Sequence, residues 1–328
     1  PYLIRLVYPI NNEKFFDGNL QIEQGDDSKG YALPLKKAFF DYFDTDDLIS
    51  NHSNKPQITL IQGVGGTVKV TLKIPVAADN QYISFERIYY PVPENQVGRP
   101  DEEYNKGCIV EHQFGVTLFP FIKTSIPNLN SFYRVQLVDR DVSGILKNTN
   151  LKLNFFSNSV SLPNNIRAVK TRSVKIPNNI DTVNSNYYVL DTDFDFIQIQ
   201  NIIDSGASGI ILPKWQPLQQ GNEVFSFAVD FGTTNTHIEY NKSNDGTPKP
   251  FDITSEDLQI ATLYHPIKTG VDFAGSGAID IRELIDHEFV PHLIGSSSEY
   301  KFPQRTVISE SHSLNIDTET FSLADFNI

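Results

Sequence analysis

Methionine is absent from all 328 residues, and cysteine occurs once, at Cys108. A single cysteine excludes an internal disulfide, so nothing in the chain demands an oxidising compartment. With no His-rich partner motif beside it, Cys108 reads as an ordinary, partly buried thiol. No secretory leader is visible, although the sequence starts at Pro1 rather than at an initiator methionine, and a cytoplasmic location is the expectation. The lack of methionine is odder, because a chain this long ordinarily carries several. The expectation is a longer parent whose modified methionines and some loop residues are not represented, so spacings within strands weigh more than spacings across loops. Long apolar runs are missing too, which excludes a membrane-spanning helix of the usual ~20 residues. Cations are scarce: 27 Lys and Arg stand against 40 Asp and Glu, a net charge of -13. That balance argues against nonspecific binding to nucleic acid or to anionic membranes, both of which need concentrated positive surface. No repeat of fixed length stands out.

Apolar residues make up 39% of the chain and aromatics 12%, enough for a globular protein despite many Asn, Asp and Ser residues. The length suggests two domains. Leu33 to Ile49 reads as helical, with Pro34 suited to a first turn and Phe39, Phe40 and Phe43 clustered on one side. The acidic set Asp44, Asp46 and Asp47 lacks the glycine and closing glutamate of a calcium loop and reads as a solvated helix end. From Gln57 to Val76, alternating apolar residues flank Gly63-Val64-Gly65-Gly66, a hairpin pattern. That turn is no phosphate loop, because no Lys-Ser or Lys-Thr and no helix follow it. Further strand-like runs are Tyr82–Tyr90, Ile109–Ile122, Phe132–Val138, Leu151–Phe156, Ala168–Ile176 and Tyr187–Gln200, which together predict a sandwich or strongly curved sheet. Aromatic pairs such as Tyr89-Tyr90, Phe155-Phe156 and Tyr187-Tyr188 each send one ring toward a core under strand alternation. Asp191, Asp193 and Asp195 have period two and so read as one exposed strand face. A polar segment from Gln216 to Asn222 marks a domain junction.

The chemically informative stretch is Phe225 to Tyr240. Phe225, Phe227 and Val229 alternate with Ser226, Ala228 and Asp230, as in a strand with one face more buried than the other. Gly232 turns the backbone, and Thr233, Thr234 and Thr236 supply hydroxyls. Backbone amides closely spaced in a glycine turn make an anion nest, and Asp230 adds a carboxylate suited to magnesium, directly or through water. Beyond the hairpin, Ser255 to Asp257 can start a short helix, Thr269 to Gly277 reads as a loop, and Asp280 to Leu293 as an amphipathic helix. His265, His287 and His292 are not spaced as zinc ligands. Tyr300 to Ile308 looks like entry into another strand.

Asp230-Phe231-Gly232-Thr233-Thr234-Asn235-Thr236 resembles the first phosphate hairpin of the actin-like ATPase superfamily, which includes heat-shock chaperone ATPases, bacterial actins, and sugar and acetate kinases. Asn after two Thr is closest to the chaperone and bacterial-actin branch, and Phe302-Pro303 leading to Thr306-Val307-Ile308 is similar to that branch's proline-led strand. The resemblance implies a ribonuclease-H-like lobe binding ATP and Mg2+, with Asp230, Gly232, Thr233, Thr234, Asn235 and Thr236 at the nucleotide and Asp230 at the metal. The superfamily completes its site with a second Asp-Gly-rich phosphate loop and a glycine-rich adenosine contact far downstream. Only 92 residues follow Thr236, and Asp272-Phe273-Ala274-Gly275-Ser276-Gly277 is the nearest imitation. The expectation is therefore a mainly β chain with α+β character. A β-rich, sandwich-like domain over 1–221, which recognises a partner or regulates the ATPase, precedes a partial actin-like lobe over 222–328, inactive alone and cut from a larger ATPase. Two other readings stay open: a noncatalytic β-rich module binding protein or glycan, and a fragment of a sugar or acetate kinase.

Overall fold

A computed structural model of the chain describes residues 1–25, 28–50, 52–76, 81–91, 105–124, 133–141, 151–163, 165–176, 179–201, 207–218, 221–231, 236–243, 246–251 and 261–264. It is mostly β, 57% strand against 7% helix. Among the described residues, no helix is long and apolar enough to cross a membrane.

Three sheets form the body. In the seven-stranded sheet, Gln57–Gln62, Val68–Pro75 and Tyr82–Pro91 run as an antiparallel meander. Lys106–His112 then continues in parallel beside Tyr2–Leu6. The expected hairpin turns through Gly65 and Gly66, whose φ angles of 65° and 73° lie in the left-handed region that side chains with a Cβ avoid. The five-stranded sheet orders Asn165–Ile176, Asn179–Leu190, Tyr133–Asp141, Phe114–Phe119 and Ala261–Thr262. Between them lies a four-stranded sheet built on Leu151–Ser157, Phe196–Asn201 and Ser208–Ile211.

That middle sheet is apolar along one face and, around Phe156, Phe196 and Ile210, on the other face as well. Phe155, Ile197, Ile199 and Ile211 pack into one core with Val116, Leu118, Val135 and Leu137 of the five-stranded sheet. Their neighbours Phe156, Phe196 and Ile210 pack into a second core with Ile58, Leu60, Val68 and Tyr89 of the seven-stranded sheet. Consecutive apolar residues such as Phe155-Phe156 occur where both faces are covered, while Lys152, Asn154, Gln198 and Gln200 keep the rest of the second face polar. Both rings of that pair are buried, each in a different core, whereas Tyr89 is buried and Tyr90 exposed.

Two readings of the sequence are corrected. Leu33 to Ile49 is not one helix: Lys37–Asp41 is a 3-10 turn, and the α-helix is only Thr45–Ile49. Asp44 breaks the run by taking an extended backbone at the N-cap, where its N–H donates to Asp47 Oδ2 at 3.4 Å. Asp46 and Asp47 thus sit in the helix's first turn, the end where its dipole favours negative charge. Nor do Asp191, Asp193 and Asp195 share a strand face. Strand ends at Leu190 and resumes at Phe196, and Asp195 is pulled inward, where its carboxylate pairs with Lys123 and accepts the Asn158 N–H at 2.6 Å.

The chain leaves the body after Gln216–Leu218, which pairs in parallel with Ile122–Thr124. It returns at Ala261–Thr262 on the edge of the five-stranded sheet. There Leu263 donates its N–H to Val116 O and accepts the Asn11 N–H, while the Tyr264 hydroxyl donates to Phe114 O at 2.9 Å. Between these two anchors lies a separate three-stranded sheet, Phe225–Phe231, Thr236–Lys242 and Lys249–Pro250.

Candidate functional site

The two antiparallel strands expected around Asp230 are present. Phe225–Phe231 and Thr236–Lys242 pair antiparallel from Phe225↔Lys242 to Phe231↔Thr236. A third short strand extends the ladder through Glu239↔Pro250 and Tyr240↔Lys249. Strict alternation along the first strand explains its two-sidedness. Phe225, Phe227 and Val229 share a face with Tyr240 and Ile238, and Ser226, Ala228 and Asp230 share the other with Asn241, Glu239 and His237.

Asp230 stands one pair inside the hairpin mouth, exposed, with no hydrogen-bond or ion-pair partner among the described residues. Thr236 forms the last ladder pair with Phe231. Gly232, Thr233, Thr234 and Asn235 lie outside the described residues, so of the six residues expected at the nucleotide, the structure places Asp230 and the backbone of Thr236. The C-terminal features named from sequence, including Ser255 to Asp257, Thr269 to Gly277, Asp280 to Leu293, the three histidines and Tyr300 to Ile308, lie outside them as well.

The register adds two residues that the motif did not single out. His237 is the direct ladder partner of Asp230, and its Nε2 meets Glu239 Oε1 at 3.2 Å. The signal was available in the spacing, since residues 237 and 239 occupy one side of a period-two strand. Among the described residues, the arrangement offers a carboxylate without a partner on the same sheet face as an imidazole that a second carboxylate orients.

The donor set fits a magnesium-phosphate complex in one respect. Magnesium keeps most of its waters and takes one or two carboxylates plus phosphate oxygens, so a lone accessible Asp230 suffices for the protein's share. Among the described residues, no group of three His, Cys, Asp or Glu side chains is arranged to cage an ion. Elsewhere, burial pushes the Cys108 thiol up, which disfavours the reactive thiolate.

Comparison of the chain with protein-family models, with curated proteins and with solved structures gave no match.

Proposed function

We propose that the chain carries the first phosphate-binding hairpin of an actin-like ATPase, working on Mg-ATP within an intact parent. The observation that supports this reading is the exposed Asp230, without a partner among the described residues, near the end of a strand that leads into the sequence Gly232-Thr233-Thr234-Asn235, within an antiparallel ladder extended by a third strand. Asp230 organises magnesium, directly or through water. Gly232, Thr233, Thr234, Asn235 and Thr236 supply amide and hydroxyl donors to the phosphate oxygens. Phosphoryl transfer rests on positioning and charge stabilisation, and one hairpin contributes part of each. The residues from 222 onward belong to the ribonuclease-H-like lobe in this reading, and the β-rich residues 1–221 recognise a partner or regulate turnover. A cytoplasmic, ATP-supplied setting goes with it.

Calorimetry of the chain with Mg-ATP, with and without Asp230→Ala, tests the assignment. The substitution is expected to weaken binding at least about tenfold, the ~1.4 kcal/mol scale of one charge-assisted contact. Equal binding by both proteins would remove Asp230 from the site.

A second reading, a noncatalytic β-rich module binding protein or glycan, is favoured by one observation. Toward the connected end of the Val68–Pro75 and Tyr82–Pro91 pair, Ile83 and Phe85 are 52% and 57% exposed on the face they share with Ile74 and Leu72. In this case the Asp230 hairpin is structural. A Phe85→Ser variant would then lose partner binding while Asp230→Ala keeps it, the reverse of the order expected of a nucleotide site.

A further inference from the structure

Asp230 shares its face of the hairpin with a nitrogen donor. Its direct partner across the ladder is His237, and direct antiparallel partners carry Cβ atoms ~4.5–5.5 Å apart on one face of a sheet. One ion with bonds of about 2.0–2.2 Å to a carboxylate oxygen and an imidazole nitrogen spans such a pair.

Glu239 decides which imidazole nitrogen is free. It stands two residues along the strand from His237, on the same face. His237 Nε2 donates to Glu239 Oε1 at 3.2 Å, which keeps the proton on Nε2 and the lone pair on Nδ1. A carboxylate on the outer nitrogen fixes the ring of a metal-binding histidine and raises its basicity. His237 and Glu239 are 44% and 46% exposed, so an ion reaches them from solvent. The ladder pairs on this face are Ser226 with Asn241, Ala228 with Glu239 and Asp230 with His237, a set holding two carboxylates and no Lys or Arg. An ordinary surface ion pair accounts for His237 and Glu239, but it leaves Asp230 without a partner among the described residues, next to an imidazole lone pair.

Magnesium selects oxygen donors, whereas imidazole suits iron, nickel and zinc, and nitrogen sites bind Co2+ more tightly than the earlier divalent metals. We propose that Asp230 and His237 Nδ1 together bind the nucleotide's divalent ion, with Glu239 as the positioning residue, so that the hairpin prefers a transition metal to Mg2+. The inference rests on the nucleotide reading and changes only its metal. Phosphate oxygens and waters complete the shell, so two protein donors suffice and no three-residue cage is required. Mg2+ remains able to bind through Asp230 alone.

Calorimetry of the full chain with Co2+-ATP and with Mg2+-ATP tests the assignment. His237→Ala should weaken Co2+-ATP binding at least about tenfold and change Mg2+-ATP binding little, while Glu239→Ala costs Co2+-ATP about tenfold through the loosened ring. Asp230→Ala should weaken both complexes. Proton NMR of the Co2+-ATP complex gives a signature that a merely structural histidine lacks, a far-shifted exchangeable imidazole N–H that disappears in His237→Ala. Equal losses for the two metals in His237→Ala, or no loss for either, would overturn the inference and leave the nucleotide site in place. No binding of either complex by the unsubstituted chain would instead remove the nucleotide reading, and this inference with it.

Discussion

At the residue scale, His112 is the most consequential side chain outside the hairpin. It is buried at the end of Lys106–His112, and among the described residues neither ring nitrogen has a hydrogen-bond partner. Burial lowers its pKa from 6.5 to about 4, because an imidazolium there would lose its hydration without gaining a partner. The folded state thus holds the ring neutral while the unfolded chain protonates it near pH 6.5. The stability this provides is fully present above pH 6.5, declines as pH falls through that value, and levels off near pH 4. The full span is about 3 kcal/mol at 1.36 kcal/mol per unit. Urea unfolding at pH 7.5 and pH 5 should show a loss of about 2 kcal/mol from this group, absent in His112→Leu. An identical pH slope in both proteins would mean that the ring finds a proton acceptor. Asp195 teaches a related lesson about legibility. Its period-two spacing with Asp191 and Asp193 suggested an exposed face, but a partner 72 positions away, Lys123, draws it inward. Spacing carries no information about so distant a partner, whereas the exposed Asp230 at a strand end was legible because alternation alone determines its face.

At the scale of elements, strands were readable where one face is polar and ambiguous where both are covered. The hairpins Gln57–Gln62 to Val68–Pro75 and Phe225–Phe231 to Thr236–Lys242 follow from alternation plus a glycine turn. Phe155-Phe156 and Phe196-Ile197 break that alternation, since this part of the middle sheet is apolar on both sides, and nothing local says which core each side chain enters. The 33–49 helix failed for a different reason: Asp44 takes an extended backbone, and its N–H donates to the Asp47 carboxylate rather than along the run. Parallel pairing across the body also leaves a trace at Gly107. A Cβ there would overlap the Tyr89 ring and come within 2.9 Å of Pro1 O, where Cys108 donates its N–H at 3.1 Å. Gly107→Ala is therefore expected to destabilise by about 1–3 kcal/mol through displacement of Tyr89. Chemical denaturation measures this, and paired Tyr89→Leu, which makes room, should recover part of the loss. A neutral Gly107→Ala would mean that the two strands separate at little cost.

At the scale of the whole molecule, the hairpin sheet is held at both ends by the body yet shares neither of its cores. It enters through Gln216–Leu218 and leaves through Ala261–Thr262, each paired with a body strand, while the middle sheet is packed from both sides. Local opening costs the free energy of the contacts it breaks, so the insertion should open below the global transition while Leu151–Ser157 and Phe196–Asn201 open only with it. Native-state hydrogen exchange reads this directly. Amides of Phe225–Phe231 should show protection lower by about 100-fold or more than those of the middle sheet, equivalent to ~2.7 kcal/mol at 1.36 kcal/mol per decade. Saturating Mg-ATP should then raise protection in the hairpin strands and leave the middle sheet as it was, because a ligand stabilises only the state that binds it. Equal protection in both regions without nucleotide would show one cooperative unit extending through the two anchors. In that case a ligand at Asp230 would stabilise the entire β body, and its effect would appear as a shift in global unfolding instead.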